Sequence, residues 1–388
     1  MNVKDSIFIK ALNKFDDHPF LVRMKEEEYL IGEGDPTFIV KMKNSPSAKE
    51  LRTSTSLALG EAYMRGDIEI DGDLYPALNH LLGQMGKFST DKKALRSIIF
   101  SSDSKRNQKK EVSSHYDIGN DFYKLWLDDT LNYSCAYFKN EDDTLYQAQV
   151  NKTHYILEKL YLKEGMSLLD IGCGWGFLLI EAAKKYKIKG TGITLSKEQF
   201  KAFQERIKEE GLEDYLTVKI MDYRDLCKSD MTFDRVVSVG MLEHVGRGHY
   251  DLFLSNVDHV LKPGGLFLLH YISAQKEYPG DAWMKKYIFP GGTIPSLREI
   301  IDLAPNYNFN TLDIENLRRH YHKTLLCWSK NYREHLSEIQ EMFDETFVRM
   351  WDLYLCACAA TFNNGIIDLH QILWSKGVNN DLPMARWY

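Results

Sequence analysis

The stretch LLDIGCGWGF, residues 168–177, decides the fold class of this chain. An apolar strand pattern ends at Asp170, glycines follow at Gly172, Gly174 and Gly176, and a helical pattern begins directly after them. Alternate glycines let the backbone turn tightly and approach a ligand closely, while a helix N-terminus offers free N–H groups. This strand, loop and helix therefore predict a binding loop for an anionic or adenosyl-containing cofactor.

The glycine spacing distinguishes two classes of cofactor. A dinucleotide site has the spacing G-x-G-x-x-G and an acid about 20 residues further on, which holds the ribose hydroxyls. Here the spacing is G-x-G-x-G, and the next strand runs into GITLS at 192–196 without an acid. The pattern favours S-adenosylmethionine over NAD, with its carboxylate at the loop amides and its sulfonium directed at the next pocket.

Beyond the loop, strands and helices alternate. Short apolar strands occur at 167–171, 190–194, 216–222, 233–240 and 266–272. Continuous apolar strands separated by helices predict a mostly parallel sheet with helices on both faces. The alternation then stops, and the segments 319–344 and 345–374 are expected to be mainly helical. The expected fold class is α/β, a Rossmann-like doubly wound sheet with helical additions.

The residues before this unit show a different pattern. Residues 1–86 mix alternating stretches such as FIVKM (38–42) with helical ones, which predicts a small α+β domain. The stretch 101–114 has almost no apolar side chains and four basic ones, as an exposed linker would. We therefore expect an N-terminal domain over 1–100, a basic linker over 101–114 and a larger domain over 115–388.

Composition limits the class of protein further. The 388 residues are 44% hydrophobic and 27% charged, which is ordinary for a globular chain. No apolar run approaches the roughly 18 residues of a membrane span, and the N-terminus lacks the apolar core of a secretory signal. The six cysteines form no C-x-x-C pair, so neither a metal site nor a disulfide framework is expected. These features predict a cytoplasmic protein that touches a membrane only from outside.

The chain has a formal net charge of −6, but one of its segments is strongly basic. Residues 87–110 hold eight Lys or Arg against two Asp. A basic segment on an acidic body suits an anionic membrane surface, where each nearby Lys or Arg contributes about 1 kcal/mol. A solvated linker is the alternative, and both interpretations stay open. The first would make residues 1–110 the part that associates peripherally with the inner face of the cell membrane.

Several polar residues fall at the carboxyl ends of the predicted strands, where open α/β sheets bind their ligands. They are Asp170, Thr194, Asp222, Tyr223, Glu243 and His270. Asp222 could accept a hydrogen bond from an adenine amino group, Tyr223 could stack on the ring, and Gln199 could reach the ribose or the methionine end. Each alone could equally be a helix cap or a satisfied core group, but their shared location favours a binding site.

Nine segments, taken in order along the chain, resemble those of one known family. They are HYDIGNDFY (115–123), LNYSCAYF (131–138), LLDIGCGWG (168–176), TLSKEQ (194–199), DYRDL (222–226), VVSVGMLEHVG (236–246), KPGGLFLLHYIS (262–273), KYIFPGG (286–292) and HYHKTLLCW (320–328). From about His115 to Arg386 the chain resembles the bacterial cyclopropane-fatty-acid-phospholipid synthases and the related mycolic acid cyclopropane synthases. The N-terminal domain with its basic linker is similar to the phospholipid synthase arrangement, since the mycolate enzymes lack it.

The resemblance implies a class I methyltransferase fold and a role for each matched position. Nine residues would contact S-adenosylmethionine, namely Tyr133, Ser134, Gly172, Gly174, Thr194, Leu195, Gln199, Asp222 and Tyr223. Five would surround a bound bicarbonate ion, namely Cys135, Glu243, His270, Ile272 and Tyr321. Cys135 is expected to line the site and not to act as a nucleophile, and His244 is expected to face away in a structural role. Tyr271 stands where the family often has Thr, from which we expect altered packing and retained activity.

The implied reaction is transfer of a methylene group from S-adenosylmethionine to the cis double bond of an unsaturated phospholipid acyl chain, which forms a cyclopropane. An isolated alkene has no acidic proton, so catalysis depends on holding the sulfonium methyl at roughly 3–3.5 Å from the π bond. Methyl transfer leaves a carbocation, which aromatic faces stabilise and a dry site protects from water.

Ring closure then needs a base near the new methyl group, and the resemblance assigns this role to bicarbonate. A Glu243 carboxylate beside that anion would be repulsive. We therefore expect either that His270 is protonated or that a proton is shared within the site.

Two other functions stay open from the sequence. A related methyltransferase would give a methyl or methylene branch instead of a ring, although the full set of bicarbonate residues favours ring closure. A lipid-binding or carrier protein with a degenerate cofactor site is the alternative outside enzymes, although the intact glycines argue against it. The resemblance also suggests a homodimer, and no nucleic-acid partner is expected.

Overall fold

The computed structural model describes residues 15–84 and 118–386, together with residues 9, 12 and 13. The basic segment 87–110 and the predicted linker 101–114 lie outside these residues. The strands, numbered along the chain, are β1 (Phe20–Met24), β2 (Glu27–Ile31), β3 (Ile39–Met42), β4 (Ile68–Asp71), β5 (Ser167–Ile171), β6 (Lys189–Thr194), β7 (Leu216–Ile220), β8 (Phe233–Val239), β9 (Leu261–Ala274), β10 (Phe309–Asn316) and β11 (Ile367–Lys376).

The α-helices are numbered in the same way. They are α1 (Ala48–Thr53), α2 (Thr55–Met64), α3 (Leu74–Gly83), α4 (Asn120–Trp126), α5 (Leu145–Lys159), α6 (Phe177–Tyr186), α7 (Lys197–Glu209), α8 (Tyr250–Val260), α9 (Ala282–Tyr287), α10 (Leu297–Leu303), α11 (Arg318–Glu334), α12 (Leu336–Met342) and α13 (Glu345–Asn363). Among the helices described, none is both long and apolar enough to cross a membrane.

The chain divides into two compact units. The first comprises Met1–Ala94, Gly280–Pro290 and Leu325–Ile366, and the second comprises Leu95–Pro279, Gly291–Thr324 and Ile367–Tyr388. The first unit therefore includes residues from the range 115–388 that the sequence assigns to one continuous domain, because α13 packs on α2 and α3. The predicted boundaries at 100 and 115 fall among undescribed residues and stay predictions.

The first unit contains a four-stranded sheet in the order β2-β1-β3-β4. Strand β1 pairs antiparallel with β2 and parallel with β3, and β3 pairs antiparallel with β4. Phe20, Val22 and Met24 are buried while the residues between them are half-exposed, which is the alternation of a strand with one face on a core. The predicted small N-terminal α+β fold is confirmed.

The second unit is built on a seven-stranded sheet in the order β10-β11-β9-β8-β5-β6-β7. Strands β9, β8, β5, β6 and β7 run parallel, while β11 is antiparallel to both of its neighbours. From β5 the chain builds outward first through β6 and β7 and then, on the other side, through β8 and β9. The strand order thus reverses at β5, and such a reversal creates the crevice in which open α/β sheets bind ligands.

Apolar side chains cover both faces of this sheet, as the continuous apolar strands predict. Leu169 and Ile171 belong to the core on one face, with Phe267 and Leu269. Leu168 belongs to the core on the opposite face. The expected mostly parallel, doubly wound α/β sheet is confirmed.

The prediction that 345–374 is mainly helical holds over Glu345–Asn363, but the strand that follows was not predicted. Helix α13 ends at Asn363, and residues 367–376 form β11, which lies between β9 and β10. A buried apolar run has no clear period, so the sequence does not distinguish a central strand from the continuation of a buried helix. This strand proves important, because it carries a side chain to the candidate active site.

Candidate active site

The glycine loop forms as predicted, between the end of β5 and the start of α6. Gly172 and Gly176 have φ angles of +84° and +85°, in the left-handed region that favours glycine. A Cβ on Gly176 would lie 2.0 Å from the Phe203 ring, and one on Gly172 would lie 2.9 Å from Met241 Cγ. Close packing as well as backbone conformation therefore requires glycine at both positions.

All nine residues expected to contact S-adenosylmethionine line one cavity, which we call the cofactor cavity. They are Tyr133, Ser134, Gly172, Gly174, Thr194, Leu195, Gln199, Asp222 and Tyr223. The cavity lies at the carboxyl ends of β5, β6 and β8, at the reversal of strand order. The structure thus brings together residues that are up to about ninety positions apart in sequence. This is where open α/β sheets bind their ligands, at the carboxyl ends of the strands.

Hydrogen bonds hold the polar side chains of the cofactor cavity in place. Thr194 Oγ1 donates to Gln199 Oε1 at 2.9 Å, and Ser196 Oγ caps α7 by accepting from Gln199 N at 3.2 Å. Arg224 donates to both carboxylate oxygens of Asp222, at 2.9 and 2.6 Å. A carboxylate has about four acceptor positions, so Asp222 keeps acceptor capacity for a ligand.

The sequence interpretation missed a buried lysine in this cavity. Lys152 on α5 is 2% exposed, and its Nζ donates to Ser134 Oγ at 3.0 Å. Burial lowers the pKa of Lys152 to about 8 and raises the pKa of the nearby Asp170 to about 7. Lys152 and Lys159 lie seven residues apart, so they share one face of α5 with buried apolar residues. That spacing is the signal in the sequence that could have identified both lysines as buried.

The residues expected around bicarbonate form a second group, which we call the Glu243 cluster: Glu243, His270, Ile272, Cys135 and Tyr321. Glu243 follows β8 in a short 3-10 turn, and its Oε1 accepts a 2.6 Å hydrogen bond from the Ile272 backbone N–H. His270 is two residues before Ile272 on β9, so both side chains lie on the same face of the sheet.

Cys135 and Tyr321 join this cluster through the Leu317 backbone. The Leu317 carbonyl oxygen lies 3.9 Å from Cys135 Sγ and accepts from Tyr321 N at 3.1 Å. Leu317 N in turn donates to the Leu369 carbonyl at 2.8 Å, and Leu369 pairs with Ile272 across β11 and β9. A continuous set of contacts therefore connects all five predicted residues.

The Ile272 N–H, which the resemblance assigned to bicarbonate, donates to Glu243 instead. Two other atoms of the cluster, Glu243 Oε2 and His270 Nε2, are buried, and neither has a hydrogen-bond partner within residues 15–84 and 118–386. Buried polar atoms are almost always hydrogen-bonded, so these two could hold a small polar guest.

Burial also sets the protonation of these side chains. It raises the pKa of Glu243 to about 7, although the Ile272 N–H bond opposes the shift. It lowers the pKa of His270 well below its usual range, and the charges of Lys152 and Lys159 add to that effect. Of the two expectations for this cluster, the environment disfavours a protonated His270 and favours a proton held at Glu243.

Three neighbouring residues were judged from the sequence alone. Cys135 is fully buried, and burial raises the pKa of its thiol far above the neutral range, which suits a lining role. Tyr271 is buried in the core on the opposite face from His270, as altered packing would require. His244 lines the cofactor cavity, and its expected structural role stays a prediction. Successive residues of a 3-10 turn point about 120° apart, so Glu243 and His244 face different sites.

No group of side chains suited to holding a metal ion occurs in the described part of the chain.

Comparison with known proteins adds to this geometry. The family described as mycolic acid cyclopropane synthetase matches residues 103–372, and a domain of unknown function matches residues 7–93. The cyclopropane-fatty-acyl-phospholipid synthase of Escherichia coli K12 is 40% identical, over 89% of this chain and 90% of that protein. A protein of Pseudomonas putida called a probable fatty acid methyltransferase is 39% identical, over 90% and 91% of the two chains.

A solved structure shares the fold of the second unit. The mycolic acid cyclopropane synthase CmaA1, complexed with SAH and CTAB, superposes with a TM-score of 0.65. It is 33% identical, and the match covers 69% of this chain and 98% of that one. The Rossmann-like class I methyltransferase fold expected from the sequence is confirmed.

Proposed function

Because the chain belongs to the mycolic acid cyclopropane synthetase family, we propose that it is a cyclopropane-fatty-acyl-phospholipid synthase acting on unsaturated phospholipid in a membrane. Membership confirms the resemblance found in the sequence and makes the chain an S-adenosylmethionine-dependent methyltransferase. The proposed reaction transfers a methylene group to a cis double bond of an acyl chain. The observation that carries ring closure is the pair of buried atoms, Glu243 Oε2 and His270 Nε2, that have no hydrogen-bond partner among the described residues.

The cofactor cavity has the groups that S-adenosylmethionine needs. The nine residues predicted from the sequence would bind it, with the adenosyl part near Asp222 and Tyr223 and the methionyl part near the glycine loop. Lys152 adds a buried cation for the carboxylate. Such fixed polar groups would hold the bound cofactor in one orientation, and placement supplies most of the catalysis available for an alkene.

Aromatic rings beside the cavity suit the carbocation that methyl transfer leaves. Tyr133 and Trp175 line the cavity. Tyr123 packs against both, with ring centroids 5.7 and 5.5 Å away, and Trp126 lies 5.2 Å from Tyr133. The negative faces of such rings stabilise a cation, and their bulk excludes the water that would trap it.

The Glu243 cluster fits a bicarbonate ion. When bound, bicarbonate would supply the base that accepts a proton from the newly attached methyl group. Protonated Glu243 and the Nε2–H of neutral His270 can each donate a hydrogen bond, which removes the repulsion expected from a carboxylate beside an anion. With a pKa of about 7, Glu243 can also take up and release a proton near neutral pH, so it can pass on a proton that reaches the site.

The N-terminal residues are proposed to bring this site to the membrane. On this proposal residues 1–100 form a lipid-associating domain, 101–114 the basic linker and 115–388 the catalytic domain of a cytoplasmic, peripherally bound enzyme. The eight Lys or Arg of segment 87–110 support it, since they would attract an anionic surface. In a homodimer two such segments would engage one membrane together and increase avidity. Co-sedimentation with anionic vesicles should decrease as salt is raised, and salt-independent binding would contradict this part.

Incubation with phospholipid vesicles tests the reaction. Vesicles with cis-unsaturated acyl chains and methyl-labelled S-adenosylmethionine should yield labelled lipid whose acyl chain is heavier by one CH2 group. Vesicles of saturated lipid are the matched control. Activity should fall in buffer purged of carbon dioxide and return when bicarbonate is added. An absence of labelled lipid would end the proposal, and activity indifferent to bicarbonate would remove its role.

The Pseudomonas putida relative favours one alternative product. Its name as a probable fatty acid methyltransferase suits transfer of a methyl group without ring closure. Mass spectrometry separates a saturated methyl branch, which carries two more hydrogens than the ring. A methylene branch has the same mass as the ring, but its alkene protons distinguish it in a proton NMR spectrum.

A further inference from the structure

Lys159 is a buried cation that the proposed reaction does not use. Its side chain, on α5, is 1% exposed. Its Nζ lies 2.5 Å from Glu315 Oε2 and 3.4 Å from Asp313 Oδ2, and it donates a 3.0 Å hydrogen bond to Gln371 Oε1. Burying an ammonium group is costly unless it is paired, and two carboxylates of β10 provide that pairing. Lys159 is therefore held firmly, with one donor directed at Gln371.

Gln371 links Lys159 to His270. Strand β11 pairs with β9 so that Gln371 lies opposite His270, and its Nε2 is 3.1 Å from His270 Nδ1. The two ends of an amide are usually hard to distinguish, but a lysine ammonium can only donate. The end of Gln371 that faces Lys159 must be its oxygen, so the end that faces His270 must be the NH2 group.

This orientation determines which nitrogen of His270 carries the proton. Facing an NH2 group, Nδ1 must accept, so the proton of the neutral ring resides on Nε2. A doubly protonated ring would set an Nδ1–H against the amide NH2, donor against donor. Burial and the charges of Lys152 and Lys159 disfavour the same cation by lowering the pKa of His270.

We propose that Lys159 and Gln371 are positioning residues that hold His270 as the neutral Nε2–H tautomer, so that it donates to the anion in the Glu243 cluster. The tautomer follows from contacts alone, whereas its use in the reaction rests on the proposed function. His270 Nε2 has no hydrogen-bond partner among the described residues, and in this tautomer it carries the hydrogen that can be donated. The site thereby presents two donors, Nε2–H and the protonated Glu243, to one anion.

Nitrogen-15 NMR of the full chain with labelled histidine tests the tautomer directly. The His270 signal, assigned by its loss in a His270→Asn variant, should show one protonated nitrogen, Nε2, at neutral pH. Protonation at Nδ1 in the unmodified protein would overturn the proposal. His370, next to Gln371 on β11 with Nδ1 2.6 Å from Ser273 Oγ, is an internal control for the integrity of the sheet.

Gln371→Glu should reverse the tautomer, because a carboxylate facing Nδ1 accepts where the amide donates. We expect the proton on Nδ1, an unchanged His370 signal, and turnover at saturating S-adenosylmethionine lowered at least about tenfold. Affinity for S-adenosylhomocysteine should stay within about twofold, because Gln371 is outside the cofactor cavity. An unchanged His270 tautomer, or a changed tautomer with unchanged turnover, would refute the positioning role.

Lys159 is tested by a pair of variants. Lys159→Met removes the donor that orients the amide, so both tautomers should appear, whereas Lys159→Arg retains a donor-only group and should restore the single Nε2–H form. A single Nε2–H form in a folded Lys159→Met variant, judged by the His370 signal, would exclude Lys159. If the unmodified protein shows the expected tautomer but makes no labelled lipid, the proposed function fails and the assigned tautomer stands.

Discussion

The cofactor cavity and the Glu243 cluster lie in one unit of the protein but satisfy their polar atoms differently. In the cavity, Gln199 is bonded to Thr194 and Asp222 to Arg224, while Asp170 Oδ1 has no partner among the described residues. In the cluster, Glu243 Oε2 and His270 Nε2 have no partner among the residues described. Paired side chains such as Gln199 and Asp222 hold the shape of a cavity that exchanges a large ligand. Two unsatisfied atoms in the buried Glu243 cluster suit a small polar guest.

The two sites also differ in how burial acts on charge. Around the cavity, Asp170 and the cation Lys152 are buried near each other, and each partly offsets the shift that burial causes in the other's pKa. For Glu243 only backbone N–H groups, those of Ile272 and of Glu243 itself, oppose the rise in pKa. Opposite charge therefore moderates the pKa shifts in the cavity, whereas backbone hydrogen bonds moderate the shift of Glu243.

Gly176→Ala should have the largest effect, because it breaks the cavity itself. The new Cβ would meet the buried Phe203 ring at 2.0 Å in a left-handed conformation. We expect a loss of roughly 3–5 kcal/mol in the free energy of unfolding, from overpacking and backbone strain together. Gly211→Ala is the matched control, since its φ is +62° with nothing within 4 Å, and it should lose only about 1 kcal/mol. Equal losses in urea denaturation would show that Phe203 is not the cause.

Glu243→Gln should impair the Glu243 cluster without affecting ligand binding in the cofactor cavity. Glutamine can accept from the Ile272 N–H but cannot release or take up a proton, so turnover should fall about a hundredfold or more. Binding of S-adenosylhomocysteine, measured by calorimetry, should stay within about twofold. Glu181→Gln, which alters a carboxylate on α6 that is paired with His154 of α5, should change neither property. Near-normal turnover of the Glu243 variant would remove Glu243 from the mechanism.

The same variant should change how stability depends on pH. The pKa of Glu243 is about 7 in the folded protein against 4.5 for an ordinary glutamate, so the folded state holds the proton more tightly. The stabilisation of the folded state by this proton is complete below about pH 4.5 and is lost as the pH rises through 7. The free energy of unfolding changes by about 3 kcal/mol over that range. From pH 5 to pH 8 the Gln variant should therefore gain stability relative to the unmodified protein. Parallel curves in denaturant titrations would contradict the raised pKa.

Cys135→Ala should have the smallest effect. The thiol is buried and protonated, and it lies near the backbone carbonyl oxygens of Ala136 and Leu317 and the side chain of Thr324. Turnover in the vesicle assay should stay within about threefold, since no thiolate is available to react. Stability should fall by about 1 kcal/mol for the small cavity left behind. A hundredfold loss of turnover would show that Cys135 has a chemical role.

Much of the fold follows from local patterns. The strands around the glycine loop could be predicted because each is a short apolar run bounded by turn residues, and the sheet between them follows from their alternation with helices. Strand β11 could not, because its burial between β9 and β10 removes the alternation that identifies a strand. Lys152 and Lys159 were missed for a related reason, since buried lysines look like surface ones until their carboxylate or hydroxyl partners are known.

The sequence by itself determined the cofactor class and the position of the binding loop, because glycine spacing and strand ends are local properties. Only the tertiary structure decided where the protons lie. The state of Glu243 depends on Ile272, 29 positions away, and the tautomer of His270 depends on Gln371, 101 positions away. Burial and hydrogen-bond direction set these states, and both arise only when distant segments pack together.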